Sequence, residues 1–199
     1  MPDGRHALLK AALRVFAGNG FDGADIRNIA AAAGVSANLV RVHFGSKRGL
    51  WEACLDEIVA AAAPAMVEIS KVAHDGVRDL HERLRGIIVL LAAFYTAHPD
   101  VRDFVARHGV DAPERATMLT ERLLLPAYET VRELFEAGIA EGIIRSSHPA
   151  LFFALVNSAV NQPPTFPTLL NQLAPEIDGA AARELMKATV VATLLHQPS

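Results

Sequence analysis

The stretch that decides the fold is residues 26–44, which read IRNIAAAAGVSANLVRVHF. Its first half places apolar side chains at the spacing of one helix face: Ile26, Ile29, Ala30 and Ala33. Gly34 permits the positive φ of a tight turn, and the Ser36 hydroxyl can cap a second helix over 37–44. Two short helices joined by a turn that contains glycine predict a helix-turn-helix.

Both flanks of this stretch also have helical patterns. The preceding residues repeat apolar side chains at helical spacing: Leu9, Ala12, Leu13 and Phe16. We expect the glycines of residues 18–20 to end that first helix, and Asp25 to cap the next one. Ser46 is the expected cap of a fourth helix that begins at Lys47. The N-terminal part of the chain is therefore predicted to be a small bundle of helices.

The outward face of the motif's second helix carries side chains suited to reading bases. In a helix-turn-helix, the N-terminal part of this helix enters the major groove of DNA. The Asn38 amide can pair with the edge of adenine, and Arg41 can pair with guanine or with a phosphate. Ala37 and Val42 offer apolar surface to a thymine methyl group. These residues predict that the face binds duplex DNA.

The distribution of charge favours the same end of the chain. The net charge is −3, yet residues 1–50 hold seven basic and three acidic groups, which leaves the remainder at −7. A basic head on an acidic body is typical of a protein that meets phosphate at one end. Lys47 is expected in the first turn of a helix, where the positive helix end makes a cation unfavourable. A phosphate bound jointly by Lys47 and the helix N-terminus would account for a lysine at this position. Arg27 is a second candidate for a phosphate contact.

Over residues 5–55 the sequence resembles the tetracycline-repressor (TetR) family. The resemblance rests on these positions: Ala12, Phe16, Gly20-Phe21, Ile29-Ala30, Ala33-Gly34-Val35-Ser36, His43-Phe44, Ser46-Lys47 and Leu50. It implies a homodimer with a ligand-controlled C-terminal domain. It also implies DNA contacts at the aligned positions: Arg27, Ser36, Asn38, Leu39, Arg41, His43 and Lys47.

Two positions depart from the family pattern. The family usually carries threonine where this chain has Ala24, and commonly tyrosine where it has Arg41. Arg41 keeps a donor for phosphate, so the departures bear on which operator is bound. Three residues have a structural alternative to DNA contact: a surface amide for Asn38, packing for His43 and a solvated charge for Arg27.

The remainder of the chain reads as helices separated by Gly, Pro and Asp. The expected helices span about 77–97, a short segment that holds Val101, Phe104 and Val105, and then 113–139, 149–161 and 179–196. Pro126 should kink the helix over 113–139, because proline removes a backbone hydrogen bond. Pro163, Pro164 and Pro167 should end the apolar helix before them. The predicted fold class is all-α, since no stretch alternates apolar and polar residues as a strand would.

We divide this all-α chain into a helix-turn-helix domain at 1–50 and an effector-binding and dimerisation domain at 51–199. Helices 149–161 and 179–196 carry more apolar surface than one chain readily covers, and a second copy would bury it in a four-helix bundle. Burial within the chain is the alternative. A ligand pocket is expected between the long helices, with these candidate lining residues: Phe94, Tyr95, Phe104, Met118, Arg122, Tyr128 and Asn157. For each one, plain core packing is the alternative.

No catalytic, metal or cofactor pattern accompanies these features in the sequence. The six histidines beyond residue 51 are scattered and form no H-x-x-x-H or H-E-x-x-H pair. Cys54 has no histidine or asparagine beside it and reads as core. A lone cysteine and the absence of a signal-peptide pattern suggest a cytoplasmic protein. The longest apolar stretch, residues 86–97, is too short to cross a bilayer.

The sequence therefore predicts a ligand-responsive transcription regulator that is not an enzyme and uses no cofactor or metal. On family grounds we expect a repressor that binds a palindromic operator as a dimer and is released by a small, largely apolar effector. A helical small-molecule-binding protein whose N-terminal module organises DNA without an operator is the first alternative. An enzyme is the second, and would need an acid/base or metal set that the sequence does not display.

Overall fold

The computed structural model describes residues 4–109, 112–162, 165–177 and 179–196, and within them every regular element is helical. The predicted all-α fold class is thereby confirmed. The chain forms two compact units. The head unit comprises Met1–Ala62 and Pro99–Arg122, and the body unit comprises Ala63–His98 and Leu123–Ser199. The head unit thus extends beyond the predicted boundary at residue 50 and takes in a second, later segment, while the functional division at that boundary stays a prediction.

The helices are numbered in chain order. They are α1 (Gly4–Gly23), α2 (Ile26–Ala32), α3 (Asn38–Phe44), α4 (Lys47–Ala73), α5 (Leu80–Ala97), α6 (Pro99–His108), α7 (Pro113–Leu119), α8 (Leu125–Ala140), α9 (Pro149–Val160), α10 (Phe166–Leu173) and α11 (Gly179–Leu194). A π-helical turn, Thr120–Leu124, lies between α7 and α8. Helix α4 contributes residues to both units.

The core of the head unit is formed by α1, α2, α3, the start of α4, and α6. Its largest buried side chains are Leu8, Phe16, Ile29, Leu50, Trp51 and Phe104. Helix α1 runs three residues beyond its predicted end, but Gly20 interrupts it with a φ of 70°. This positive φ favours glycine, and a Cβ at this position would also come within 2.9 Å of the Arg107 Nε atom of α6.

The core of the body unit is largely aliphatic and comes from α4, α5, α8, α9 and α11. It includes Ile69, Leu84, Ile87, Ile88, Leu134, Phe135, Phe152, Val156 and Val190. The rings of Phe135 and Phe152 meet edge to face with centroids 4.9 Å apart. The absence of a side chain at Gly138 makes room for Ile144 and Leu84, because a Cβ there would lie 2.7 Å from Ile144 Cδ1 and 2.9 Å from Leu84 Cδ1.

Two local features of the C-terminal half differ from the prediction. The expected single helix over 113–139 is divided by the π-helical turn, and Pro126 lies in the first turn of α8. Proline cannot donate the hydrogen bond that would continue an α-helix, and the wider turn lies directly before it. The kink expected at Pro126 stays a prediction. Helix α10 was not predicted because prolines surround it. Pro167 lies in its first turn, where no N–H donor is needed, and Pro163 and Pro164 are outside the described residues.

Over the ranges that the structure describes, no single helix is both long and apolar enough to cross a membrane. Only α5 and α6 taken together reach that length and apolarity.

Candidate nucleic-acid interface

The start of α2 is fixed by Asp25, as predicted. Its Oδ1 atom accepts hydrogen bonds from Arg27 N at 2.7 Å and from Asn28 N at 3.1 Å. These two N–H groups have no partner within the helix, so the carboxylate satisfies them. The Arg27 side chain is exposed and forms no ion pair with any described residue. Ala24, where a threonine was expected from the family pattern, is buried.

The turn into α3 also follows the sequence prediction closely. Gly34 adopts a φ of 68°, and Ser36 Oγ accepts a hydrogen bond from Asn38 N at 3.2 Å. Helix α3 begins at Asn38, one residue later than expected, so Ala37 stands just before it. The cap and the turn together hold the N-terminal end of α3 in one orientation.

Helix α3 has one packed side and one exposed side. Val40 is 1% exposed and packs inward, while Leu39 is half-buried. The exposed residues on and beside the helix are Ala37, Asn38, Arg41, Val42 and His43. Val42 is 65% exposed, so its apolar side chain faces solvent. Arg41 forms no ion pair with any residue that the structure describes, so its guanidinium is available to a ligand.

Lys47 is half-buried, and its ammonium group contacts the end of α1. Its Nζ atom donates to the Asp22 carbonyl at 3.3 Å and lies 4.8 Å from the centroid of the Phe21 ring. The neighbouring cap is as predicted, since Ser46 Oγ accepts from Gly49 N at 3.0 Å. A phosphate contact by Lys47 stays a prediction, and would replace or add to these intramolecular contacts.

Sequence reasoning missed the aromatic and ionic contacts at the end of α1. Phe21 stacks on Phe16 with ring centroids 5.9 Å apart, and Arg115 of α7 places its Cζ atom 4.2 Å from the Phe21 centroid. Arg115 also pairs with Asp22 at 3.8 Å. Because α7 is distant along the chain, no local spacing could have indicated these contacts.

Arg48 was counted among the basic groups of the N-terminal fifty residues, but acidic partners offset its charge. Its Nε atom lies 2.8 Å from Glu52 Oε1, and its Nη2 atom lies 2.7 Å from Glu114 Oε1. Hydrogen bonds to Glu52 and then to Glu114 raise the pKa of the Arg48 guanidinium. Arg27 of α2 and Arg41 of α3, in contrast, form no ion pair with any described residue.

Three candidate ligand residues belong to the head unit. Phe104 is fully buried and stacks on Trp51 with centroids 5.5 Å apart. His108 packs against the Phe104 ring, with ring centroids 4.3 Å apart. Arg122 pairs with Asp56, and Met118 is half-buried. Phe104 therefore has a core-packing role in the head unit that needs no ligand.

The other four ligand candidates belong to the body unit, where two of them meet. Tyr95 Oη donates a hydrogen bond of 2.8 Å to Asn157 Oδ1, and burial raises the pKa of the Tyr95 phenol. Tyr128 packs near Phe153, with centroids 5.7 Å apart. Phe94 lies 4.9 Å from the His98 ring. Tyr95 and Asn157 thus form a polar pair within an apolar unit, while a ligand role for any of the four stays a prediction.

The helices expected to pair with a second copy carry exposed leucines. Leu151 and Leu155 of α9 are 60% and 53% exposed, and Leu185 of α11 is 48% exposed. Helix α10, which the sequence did not predict, adds exposed Leu169 and Leu173. The resulting surface is rich in large apolar side chains that α9, α10 and α11 leave in contact with water.

The described part of the chain contains no candidate site for a metal ion or for a reactive thiol. No three His, Cys, Asp or Glu side chains among the described residues are grouped so that they could hold a metal ion. Cys54 is buried, and this burial raises the pKa of its thiol. A thiol with a raised pKa is a poor nucleophile at neutral pH.

Known proteins resemble the chain in sequence. Residues 8–54 match the sequence model of a family described as bacterial regulatory proteins, tetR family. The chain is 28% identical over 145 residues to the HTH-type transcriptional repressor NicS of Pseudomonas putida, covering 71% of the chain and 66% of that protein. It is 30% identical over 143 residues to the HTH-type transcriptional regulatory protein RaaS of Mycobacterium tuberculosis, covering 71% and 60%. The chain spans about two thirds or less of the length of these curated relatives.

The fold is also similar to that of a solved regulator. The crystal structure of HlyIIR, a hemolysin II transcriptional regulator, matches with a TM-score of 0.70 over 98% of each chain. The two sequences are 16% identical, so this likeness concerns the fold alone.

Proposed function

The chain belongs to the TetR family of bacterial regulatory proteins, and from this premise we propose that it regulates transcription by binding operator DNA through α2 and α3. One observation carries the proposal. Helix α3 buries Val40 in the head unit and exposes Asn38, Arg41 and Val42 on its opposite side. This is the arrangement that a helix in the major groove requires, with one face anchored and the other presented to base edges.

Each exposed residue of α3 has a base or phosphate partner by its chemistry. Asn38 pairs with the edge of adenine, and Arg41 with guanine. Val42 and Ala37 contact thymine methyl groups. The remaining candidates (Arg27, Ser36, Leu39, His43 and Lys47) position the protein on the sugar-phosphate backbone and support α3.

We propose that the protein acts as a homodimer through α9 and α11. The exposed leucines Leu151, Leu155 and Leu185 support this interface, since pairing with a second copy removes them from water. Two copies related by a twofold axis would present their α3 helices to half-sites roughly 34–36 Å apart. The operator is then an inverted repeat.

The regulation is proposed to be repression relieved by a small, largely apolar effector. The similarity of the chain to NicS, which is a transcriptional repressor, supports this sign of regulation. The Tyr95–Asn157 pair supports an effector site in the body unit, because a buried hydroxyl and amide can orient a ligand that is otherwise held by apolar contacts. Residues 1–50 then serve DNA binding, and 51–199 serve effector binding and dimerisation in a cytoplasmic protein without enzymatic activity.

The proposal is tested by selecting binding sites for the purified protein from a random duplex pool at near-physiological salt. We expect recovery of an inverted repeat that is lost with Arg41→Ala. Arg85→Ala is the matched control, because Arg85 is an exposed arginine of the body unit without an ion pair to any described residue. The control should recover the same repeat as the unmodified protein.

Two outcomes would contradict the proposal. The first is retention of duplexes without a shared sequence, which collapses as salt is raised and indicates phosphate binding alone. The second is recovery of the same repeat by the Arg41→Ala protein. This second outcome would show that Arg41 is not needed to recognise the repeat.

A further inference from the structure

A cleft of about 140 Å³ lies within the body unit, where the connection from α8 to α9, the first turns of α9 and the end of α11 meet. Its walls are mainly apolar, and its polar groups are cationic or neutral. The residues that matter for its chemistry are Arg145, Leu151, Phe152, Leu155, Leu194 and His196. It is separate from Tyr95 and Asn157, which do not line it.

Hydrogen bonds hold the walls of this cleft in place. His196 N donates to Ile143 O at 2.9 Å, which ties the end of α11 to the connection. His148 caps α9 through Nδ1, which accepts from Ala150 N at 3.1 Å. Ser146 Oγ accepts from His148 N at 3.3 Å and donates to His148 O at 2.9 Å. The cleft is therefore a formed feature of the body unit.

Arg145 gives the cleft an unbalanced positive charge. It is exposed and forms no ion pair with any residue in the described ranges. Arg132 of α8, in contrast, has Glu129 and Glu136 within 3.4 Å and 4.0 Å. A guanidinium presents donors in a planar fork that matches the two oxygens of a carboxylate.

The apolar walls define the rest of the ligand. An apolar cavity of roughly 150 Å³ is large enough to hold benzene, so the cleft suits an apolar group of about that size. We propose that the cleft binds a small organic carboxylate, with the carboxylate on Arg145 and the apolar part against Phe152, Leu155 and Leu194. The His196 ring supplies a further hydrogen-bonding nitrogen at the same site.

Leu151 and Leu155 also belong to the proposed dimer surface, so the proposed dimer places a second copy against the same leucines. An apolar helix laid over the cleft would desolvate the Arg145 guanidinium without supplying an anion, which is unfavourable. A carboxylate bound to Arg145 would supply that anion, so ligand binding and dimerisation are compatible. Charge complementarity therefore favours a small anionic ligand as the occupant of the cleft.

The test is a titration of the isotope-labelled full chain with benzoate, followed by amide chemical shifts in the absence of DNA. Benzyl alcohol and benzylammonium serve as probes of the same apolar size without the negative charge. We expect saturable benzoate shifts around Leu155 and His196, and weaker or no binding of the other two probes. Arg145→Gln should weaken benzoate binding at least about tenfold, as expected for loss of a charge-assisted hydrogen bond.

Two further variants make the result decisive. Arg85→Gln removes the same charge elsewhere in the body unit and should leave benzoate binding unchanged, while Arg145→Lys should retain part of it. The proposal is overturned if benzoate does not saturate, if benzyl alcohol binds equally well, or if Arg145→Gln binds as the unmodified protein does. It is also overturned if sedimentation shows that benzoate binds only when the dimer dissociates, because a second copy then fills the cleft. None of these readouts depends on operator binding.

Discussion

Two exposed surfaces of this protein have opposite chemistry. The surface proposed to face DNA, called here the DNA-facing surface, is formed by α3 and the residues beside it and presents an amide, a guanidinium and small apolar groups. The surface proposed for dimerisation, called the dimer surface, is formed by α9 and α11 and presents leucines. The first suits a polar, charged partner whose edges carry donors and acceptors, and the second suits another apolar surface. Exposure alone does not distinguish them, whereas the chemistry of the exposed groups does.

This difference predicts opposite responses to salt. Binding of phosphate releases counterions, so affinity at the DNA-facing surface should fall steeply as salt concentration rises. Burial of leucines is not weakened by salt in this way, because it depends on the removal of apolar area from water. The two surfaces can therefore be perturbed separately, by charge at one and by apolar area at the other.

The largest expected effect comes from placing charge on the dimer surface. In a Leu151→Glu/Leu155→Glu variant, dimerisation would bury unpaired carboxylates, at a cost of several kcal/mol each. We expect a folded monomer by sedimentation and a loss of operator affinity of at least about 100-fold, because each half-site is then bound alone. Both leucines are exposed, so the circular dichroism spectrum should stay helical.

Leu125→Glu is the matched control for that variant. Leu125 is 46% exposed on α8, outside the proposed interface, so its substitution should leave the dimer intact. If the double variant remains a dimer, α9 does not form the interface. The exposed leucines of α10 would then be the next surface to substitute.

A smaller effect is expected at the DNA-facing surface itself. Asn38→Ala removes the group proposed to pair with adenine, and should cost about 1–3 kcal/mol of discrimination at one base pair of each half-site. The measurement is competition between operator duplexes that differ at that base pair. The Asn38→Ala dimer should show no change in sedimentation. Equal loss on every duplex would mean that Asn38 does not read a base.

The structure of this DNA-facing surface could be predicted from sequence because its decisive hydrogen bonds are local. Asp25, Ser36 and Ser46 each cap a helix by bonding an N–H two or three residues ahead. Such spacing is visible in the residues themselves. Gly34 likewise marks its turn by its own conformational freedom. These signals located α2 and α3 to within one residue.

What the sequence did not indicate depends on contacts between distant residues. The position of Arg115 over Phe21 joins α7 to α1, and no periodicity links the two. The π-helical turn before Pro126 and the short helix α10 depend on how neighbouring helices accept a proline, which proline propensity alone does not determine. The size of Phe104 does not by itself separate a core residue from a pocket residue, and its burial against Trp51 is known only from the structure.

Lys47 allows a test of whether an internally held cation also contacts DNA. Its Nζ atom is bound to the Asp22 carbonyl and lies over Phe21. If it also contacts a phosphate, Lys47→Ala should weaken binding about equally on all duplexes and reduce the slope of log affinity against log salt by about 1. Lys71→Ala, on the body-unit part of α4, is the control and should leave the slope unchanged. An unchanged slope for Lys47→Ala would assign this lysine to holding α1 and α4 together.

The smallest expected effect lies at the ion pair between Arg48 and Glu114. Glu114→Gln leaves Arg48 with Glu52 as its partner, and an exposed ion pair contributes little to stability, so the free energy of unfolding should fall only slightly. The head unit also becomes more positive by one charge, which should raise DNA affinity modestly at low salt and not at high salt. Thermal unfolding and a salt series of operator binding measure the two effects. A large loss of operator affinity would instead show that the contact between α7 and α4 sets the position of α3. The effect of Glu114 on the position of this helix would then outweigh the effect of its charge on DNA binding.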